Sequence, residues 1–163
     1  GDGQRFYEFR KLVNSKKKIN WTIIEQKKYC DYSSKKNKEI KFLKSFKSAP
    51  RHNKNSNILI YSTSLQYLND PYEELKKVIN DENIKYLFIE NLPLSEKKEK
   101  NLFQIHYTEK NFYSFKIFND KKVMKLLNKK FRLQKKLFKQ NITRENLDIN
   151  FNFYDLFFSK KLN

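Results

Sequence analysis

The clearest pattern in the chain is an apolar run, then an amphipathic segment, then a second apolar run. Residues 58–61 and 86–89 have the length and the β-branched and aromatic content of buried strands. Between them, Tyr72, Leu75 and Ile79 recur at the spacing of one helix face. Strand, helix and strand in this order predict a βαβ unit with parallel pairing and a right-handed crossover.

The start of this helix is marked by its residue types. Asp70 suits the N-cap, Pro71 the first helical position, and Glu73 the capping-box position three residues after the cap. Glu73 and Lys77 have the spacing of an exposed ion pair. The sequence therefore predicts a helix that begins at Pro71.

Weaker patterns predict further elements along the chain. In chain order they are a short helix carrying Phe6, Phe9 and Val13, a strand at 21–24 buried on both faces, a second strand at 40–43, a loop at 48–57, a strand at 112–118, a helix face formed by Val123, Met124, Leu127 and Phe131, and a closing strand at 151–158 antiparallel to 131–138. This order predicts the α/β class, and residues 1–163 are expected to form a single domain without internal repeats.

Composition narrows the class of protein. The 163 residues include 15 Phe and 10 Tyr, which is too aromatic for a disordered chain, so we expect a buried core. Cys30 is the one cysteine, which excludes an intrachain disulfide and fits a reducing cytosol. It has no Cys/His partner at metal spacing, so no metal is expected. No apolar run has the length of a membrane span.

The formal charge of +18 would attract phosphate groups. However, only five of the 36 basic residues are arginine, the residue that suits bidentate recognition of phosphate and base edges. The lysine runs are also spread along the chain. We interpret them mainly as solvated faces, so nucleic-acid binding is disfavoured and kept only as an alternative.

Candidate chemistry is expected at the carboxyl ends of the parallel strands, where open α/β sheets bind ligands. A loop containing Gly1 and Gly3 precedes the first helix and lets the backbone approach an anionic ligand closely. Glu25 ends the next strand about 20 residues later, a position from which a carboxylate accepts hydrogen bonds from both hydroxyls of a ribose. Further polar candidates follow the strands at Gln26, Ser45, Ser62 and Glu90.

Three segments, at 21–26, 62–72 and 89–95, resemble a known family, with a weaker similarity through Gln104 and residues 112–114. The chain is similar to the class I S-adenosylmethionine-dependent methyltransferases, in particular to a little-characterised bacterial group associated with surface-polysaccharide gene clusters. The segment 62–72 is the most specific of the three. The family's glycine-rich loop follows a first strand, which would lie before Gly1, so the resemblance implies a chain truncated at its N-terminus.

The resemblance implies a Rossmann-like three-layer sandwich with a mostly parallel sheet, a missing first strand and a C-terminal antiparallel strand. It implies a cytoplasmic enzyme of polysaccharide biosynthesis that binds S-adenosylmethionine and methylates a small or glycan-linked acceptor. The cofactor-binding residues would be Gly1, Gly3, Glu25, Gln26, Ser45 and Ser62. The acceptor-binding residues would be Gln66, Tyr67, Glu90 and Tyr113.

Two alternatives remain beside this interpretation. A degenerate methyltransferase fold that serves only as a binding module predicts that Arg5 fills the cofactor space, and a nucleic-acid-binding protein predicts one contiguous basic face. Gln66 and Tyr67 suit loop packing as well as an acceptor pocket, and Tyr113 suits a structural role. His52 and His106 are interpreted as surface residues, and no catalytic residue is assigned.

Overall fold

The computed structural model describes residues 3–13, 19–45, 57–106, 111–145 and 148–161. Gly1 and most of the loop predicted at 48–57 lie outside these ranges. In chain order the described elements are α1 Gln4–Val13, β1 Trp21–Ile24, α2 Lys27–Lys36, β2 Ile40–Leu43, β3 Asn57–Ser62, a 3₁₀ turn Leu65–Tyr67, α3 Pro71–Asn80, β4 Ile84–Ser95, β5 Lys100–His106, β6 Asn111–Asn119, α4 Asp120–Leu127, β7 Phe131–Arg144 and β8 Ile149–Lys160. They belong to two compact units, Gly1–Arg51 and His52–Asn163.

The first unit is built on a parallel pair of strands, β1 and β2, with Trp21 opposite Ile40 and Ile24 opposite Leu43. The rings of Phe6 and Phe9 on α1 pack against Trp21, with centroids 5.8 and 5.7 Å apart. The predicted helix and both strands of this unit are therefore confirmed. The prediction that β1 is buried on both faces is wrong, because its residues are only half-buried and Ile24 is 40% exposed.

Sequence patterns missed α2. Its residues are mostly lysine, tyrosine and serine, and only Cys30 and Ser33 are buried, so the helix carries no apolar stripe. α2 is the crossover connection between β1 and β2, which are parallel. Parallel strands require such a connection, and it is usually a helix.

The second unit contains a six-stranded mixed sheet in the order β5-β6-β4-β8-β7, with β3 pairing on β4. β3 and β4 are parallel, which confirms the predicted βαβ pairing. β8 lies antiparallel to both β4 and β7, which confirms the predicted closing strand. A predominance of parallel pairing is not confirmed, because β5 and β6 form an antiparallel hairpin in a region where the apolar signal is weak.

The core of this unit lies between α3, α4 and the sheet. Buried side chains on the helices include Leu75, Val78 and Ile79 on α3 and Val123 and Leu127 on α4. They cover fully buried strand residues, namely Leu87, Ile89, Phe118, Phe131, Leu156 and Phe158. Phe131 was predicted on the α4 face, but α4 ends at Leu127 and Phe131 instead opens β7. No helix in the described ranges is long and apolar enough to cross a lipid bilayer.

The predicted start of α3 is confirmed. The Asp70 carboxylate accepts a hydrogen bond from the Glu73 N–H at 3.2 Å, and Pro71 follows at the first helical position. The predicted Glu73–Lys77 pair is wrong, because Glu73 pairs with Lys76 and Glu74 with Lys77, each three residues apart. The Glu73–Lys76 pair is largely exposed and contributes little to stability, whereas in the other pair Lys77 is 67% and Glu74 24% exposed.

Replacing Asp70 by alanine is expected to lower the free energy of unfolding by about 1 kcal/mol, because the N–H of Glu73 loses its cap. Urea denaturation followed by circular dichroism measures this loss. Asp70→Asn is the matched control, since asparagine caps about as well. Equal losses in both variants would contradict the capping role.

A charged cluster joins α3, β6 and α4. The Tyr72 hydroxyl donates a hydrogen bond to Glu99, and Lys116 and Lys122 lie 3.7 and 3.3 Å from the same carboxylate. Burial raises the pKa of Glu99, but the hydrogen bonds from Tyr72 and Lys122 and the charge of Lys116 lower it by more, so that it lies below the usual value of a glutamate. Burial, and then Glu99, raise the pKa of Tyr72, so the phenol stays a protonated donor.

Because the pKa of Glu99 is lowered in the folded chain, we expect the free energy of unfolding to depend on pH. A carboxyl whose pKa is lower in the folded than in the unfolded chain stabilises the fold above its unfolded pKa of about 4.3 and loses that effect as pH falls. Between about pH 6 and pH 3 the wild type is expected to lose ~1 kcal/mol more stability than Glu99→Gln. Urea midpoints across this range measure the difference, and parallel pH profiles would contradict it.

Candidate functional site

In the first unit, three of the predicted residues lie at the carboxyl ends of the parallel strands. Glu25 directly follows β1, and its N–H donates to the Leu43 carbonyl at 3.0 Å, so it continues the pairing with β2. Gln26 is the exposed N-cap residue of α2, and Ser45 is exposed two residues after β2. The structure therefore brings Glu25, Gln26 and Ser45 to one edge of the strand pair.

The Glu25 carboxylate is half-buried and accepts a hydrogen bond from the Gln26 N–H at 2.9 Å. Burial raises the pKa of Glu25, and this hydrogen bond is among the interactions that together bring it below the usual value. The Cys30 thiol donates to the carbonyls of Glu25 and Leu43 at 3.2 and 3.3 Å, which fixes the backbone behind the carboxylate. An ionised, fixed carboxylate suits a ligand that carries two hydroxyl donors.

Gly3 is buried at the start of α1 and has φ = +98°. A Cβ atom here would lie 2.4 Å from Ile40 Cδ1, 3.3 Å from Asn37 Nδ2 and 3.7 Å from Ile23 Cδ1. Only glycine suits both the backbone conformation and this close packing of helix on strands. Gly3 thus lies close to Ile23 on β1, which is two residues before Glu25 in the chain. Gly1, the other glycine of the predicted loop, lies outside the described residues.

In the second unit, the polar residues that follow β3 are linked to β4. Ser62 lies opposite Glu90 in the parallel register, and its hydroxyl donates to the Glu90 carboxylate at 2.5 Å. Glu90 is 8% exposed, whereas Ser62 is exposed. The two residues were predicted to contact different ligands, yet they form one hydrogen-bonded pair. Glu90 also does not end its strand, because β4 continues to Ser95 beyond a register shift between Ile89 and Leu92.

The next residues on both strands have left-handed backbone conformations. Thr63 has φ = +49° and Asn91 has φ = +50°, and the Asn91 Nδ2 donates to Thr63 Oγ1 at 3.0 Å. This region is uncommon for residues other than glycine, and a β-branched residue such as threonine is a genuine outlier there. Such strain persists only where its surroundings enforce it, and it concentrates at functional sites.

Two more side chains hold Asn91 in this conformation. Its N–H donates to Asp155 Oδ1 on β8 at 2.9 Å, and its carbonyl accepts from Gln66 Nε2 at 3.4 Å. Asp155 in turn pairs with Lys139 on β7, 3.3 Å from its second oxygen. Gln66 is 1% exposed, and within the described part of the chain its Oε1 accepts no hydrogen bond. A buried acceptor of this kind is costly unless a ligand or water supplies a donor.

Tyr67 and Tyr113 come together through the hairpin of β5 and β6. The Tyr67 hydroxyl donates to Gln104 Oε1 at 3.1 Å, and Gln104 lies opposite Tyr113 in the antiparallel register. The Tyr67 ring also packs edge-on against Phe115, with centroids 5.7 Å apart. Both tyrosines are 37% exposed, so each keeps an accessible aromatic edge. Burial raises the pKa of Tyr67, so its hydroxyl acts as a donor and not as a base.

The four predicted acceptor residues, Gln66, Tyr67, Glu90 and Tyr113, are thus linked within the second unit. Gln66 bonds to Asn91, next to Glu90, and the adjacent Tyr67 bonds to Gln104, which lies opposite Tyr113. Sequence reasoning pointed to the strand ends at Thr63 and Asn91 but missed their left-handed conformations, and it missed Asp155. Asparagine adopts left-handed conformations more readily than most residues, so an asparagine inside an apolar strand run was the available signal at Asn91. Thr63 and Asp155 carry no such signal. No cluster of metal-ligating side chains occurs among the residues described.

Comparison with solved structures shows which fold this is. The chain is similar over 100% of its length to 90% of a SAM-dependent methyltransferase from Methanosarcina mazei, with a TM-score of 0.71 and 13% identity. It is similar over its full length to 82% of the N-terminal domain of EvdMO1, solved with SAH bound, with a TM-score of 0.56 and 8% identity. The chain therefore has the Rossmann-like α/β fold of the SAM-dependent methyltransferases.

The same fold also occurs in an enzyme described by a different reaction. The chain is similar over 99% of its length to 41% of a pericyclic reaction enzyme, with a TM-score of 0.58 and 13% identity. Fold alone therefore does not fix the reaction, and function has to be argued from the site. No protein-family model matches the chain, and the comparison with curated proteins gave no match.

Proposed function

We propose that this chain is an S-adenosylmethionine-dependent methyltransferase domain spanning residues 1–163 and acting in the cytoplasm on a small or glycan-linked acceptor. The observation that carries the proposal is that polar side chains lie at the carboxyl ends of parallel strands within each unit of a methyltransferase fold. The sequence resemblance to a group associated with surface-polysaccharide gene clusters supports polysaccharide biosynthesis as the setting.

The residues of the first unit fit the adenosyl part of the cofactor. The Glu25 carboxylate, fixed by Gln26 and Cys30, is an acceptor for the two ribose hydroxyls. We assign Gly1 and Gly3, in the loop that leads into α1, to the cofactor as well, and Ser45 would add a hydroxyl. In the second unit, Ser62 is the residue that we assign to the cofactor. When bound, S-adenosylmethionine supplies an electrophilic methyl group.

The acceptor would be held by the second unit. Glu90 and the buried Oε1 of Gln66 are hydrogen-bond acceptors, which suits hydroxyl or amine groups on the acceptor molecule. Tyr67 and Tyr113 offer aromatic edges on the hairpin side. Transfer of a methyl group depends mainly on alignment of the acceptor atom, so a set of orienting side chains without a catalytic triad is sufficient.

The alternative of a non-catalytic binding module predicts Arg5 in the cofactor space. Its guanidinium lies 3.2 Å from Glu8, in an ion pair on α1, and 59% of the arginine side chain is exposed. The experiment below distinguishes the enzyme from the binding module.

Isothermal titration calorimetry of the 163-residue chain with S-adenosylhomocysteine tests the proposal directly. Binding with a one-to-one stoichiometry is expected, and absence of binding would overturn it. If the cofactor product binds but the chain transfers no methyl group from S-adenosylmethionine to hydroxyl-rich or amine-bearing acceptors, the binding module replaces the enzyme.

A further inference from the structure

A cavity of about 440 Å³ lies in the second unit beside the loop 96–99, which connects β4 and β5. Three lysines line it, namely Lys97, Lys98 and Lys100, and we call it the lysine cavity. Its volume is within the range of about 300–1,000 Å³ that small-molecule sites have. Its lining contains none of the described residues that we assign to the cofactor or the acceptor.

The backbone that carries these lysines is fixed by contacts on both sides of the loop. The Lys97 carbonyl accepts a hydrogen bond from Asn119 Nδ2 at 2.6 Å, at the start of α4. The Glu99 carboxylate belongs to the charged cluster that joins α3, β6 and α4. Lys100 lies opposite the buried Ile117 in the register of β5 and β6. A ligand would therefore not have to order this loop in order to bind.

The lysine cavity has an excess of positive charge. Asp148 is the one acidic residue in its lining, and its two carboxylate oxygens lie 3.9 Å from the ammonium groups of Lys97 and Lys100. These distances are long for ion pairs. Lys98 is exposed and forms no ion pair within the described residues. Three ammonium groups and one carboxylate leave two positive charges without compensation.

The neutral polar groups of the cavity have used their acceptors and kept their donors. Ser95 Oγ accepts a hydrogen bond from the Lys97 N–H at 3.2 Å, and Asn150 Oδ1 accepts one from Asn141 Nδ2 at 3.1 Å. In the described part of the chain, neither the Ser95 hydroxyl nor Asn150 Nδ2 donates a hydrogen bond. Ser95 is 7% exposed, so an acceptor on a ligand would satisfy a donor that is largely shielded from water. The cavity therefore suits a ligand group that consists of acceptors.

We propose that the lysine cavity binds the phosphate group of a small phosphorylated molecule. A phosphate monoester carries about 1.5 to 2 negative charges near pH 7 and three acceptor oxygens, which match the excess charge and the donors of the cavity. The volume exceeds what a phosphate needs, and Ile117 supplies an apolar contact for the body that carries it. A nucleic-acid strand fits less well, because it requires a basic groove that follows its backbone. The proposal does not depend on the methyltransferase activity.

Titration of the ¹⁵N-labelled full chain with glucose 6-phosphate, followed by amide NMR spectra, tests this inference. Saturable shifts are expected at the amides of residues 95–100 and 117, and glucose at the same concentrations should leave these amides unchanged. Binding should weaken with rising salt, because the attraction between charges is screened. Absence of saturable shifts at these amides, or equal shifts with glucose, would overturn the proposal.

Two variants should change the affinity in opposite directions. K97Q/K98Q removes two ammonium groups and is expected to weaken binding of glucose 6-phosphate at least about tenfold, because hydrogen bonds to charged groups are the stronger ones. D148N removes the competing carboxylate and is expected to strengthen binding roughly threefold, a gain that loss of structure cannot produce. Asparagine tolerates the left-handed conformation of residue 148, where φ is +45°.

The matched control is K125Q/K129Q, which removes two exposed lysines from α4 and the turn after it. It lowers the net charge of the same unit equally but leaves the cavity lining intact, so the affinity should change less than about twofold. Equal weakening in both double variants would show a net-charge effect and overturn the assigned site, as would a D148N variant that binds no more tightly than the wild type. Tighter binding of a single-stranded oligonucleotide at the same amides would overturn the small-molecule ligand.

Discussion

Replacing Glu25 by alanine is expected to lower the affinity for S-adenosylhomocysteine at least about a hundredfold. Two hydrogen bonds from ribose hydroxyls to a carboxylate are worth ~3 kcal/mol or more together, and 1.4 kcal/mol corresponds to a factor of ten in the dissociation constant. Calorimetry measures the change. The fold should survive, because the Glu25 side chain is half-buried at the end of a strand whose pairing uses only backbone groups.

Glu39→Ala is the matched control for this prediction. Glu39 is an exposed glutamate of the same unit that pairs with Arg10 at 2.6 Å, directly before β2. Its loss removes the same charge without touching the carboxyl edge of the strands, so affinity should change less than threefold, as for an exposed ion pair. If the two variants bind equally well, Glu25 does not hold the ribose.

Replacing Gly3 by alanine is expected to destabilise the first unit by about 3 kcal/mol. An L-residue in the left-handed region costs ~1–2 kcal/mol, and overpacking a buried contact costs a similar amount. Both apply here, because φ is +98° and the new Cβ would lie 2.4 Å from Ile40 Cδ1. Urea denaturation monitored by Trp21 fluorescence reports on this unit, since Trp21 is the single tryptophan of the chain.

A second variant, Ile40→Val, separates the cost of the left-handed backbone at residue 3 from the cost of overpacking. Ile40→Val removes the Cδ1 atom that the new Cβ would meet, and alone it costs about 1 kcal/mol. The double variant G3A/I40V should therefore be more stable than the sum of the single losses, by ~1–2 kcal/mol. Strict additivity would show that the cost comes from the backbone conformation and not from the packing.

The best predicted part of the fold is the stretch from β3 to β4. There the strand composition, the cap at Asp70 and the apolar face of α3 all indicate the same structure, and local and tertiary preferences agree. α2 and β5 escaped prediction because their residues are mostly polar, and packing on neighbouring strands decides their state. The mixed sheet depends on which strands pair at long range, which no local pattern encodes.

The candidate site was predictable to a similar extent. Residues at strand ends, such as Glu25 and Ser62, follow from the general rule that ligands bind at the carboxyl edge of parallel strands. The hydrogen bond from Ser62 to Glu90 and the left-handed pair Thr63 and Asn91 arise from contacts between residues 28 apart. Such contacts appear only once β3 and β4 are placed in register.

The buried Cys30 has a practical consequence for labelling the chain with thiol reagents. It is 4% exposed and its sulfur is engaged with two backbone carbonyls, so a maleimide reagent should reach it only when the first unit opens. A second cysteine introduced at Lys125 would therefore take a fluorophore selectively, without removal of the native thiol. Conversely, the rate at which Cys30 itself reacts gives a direct kinetic measure of opening of the first unit.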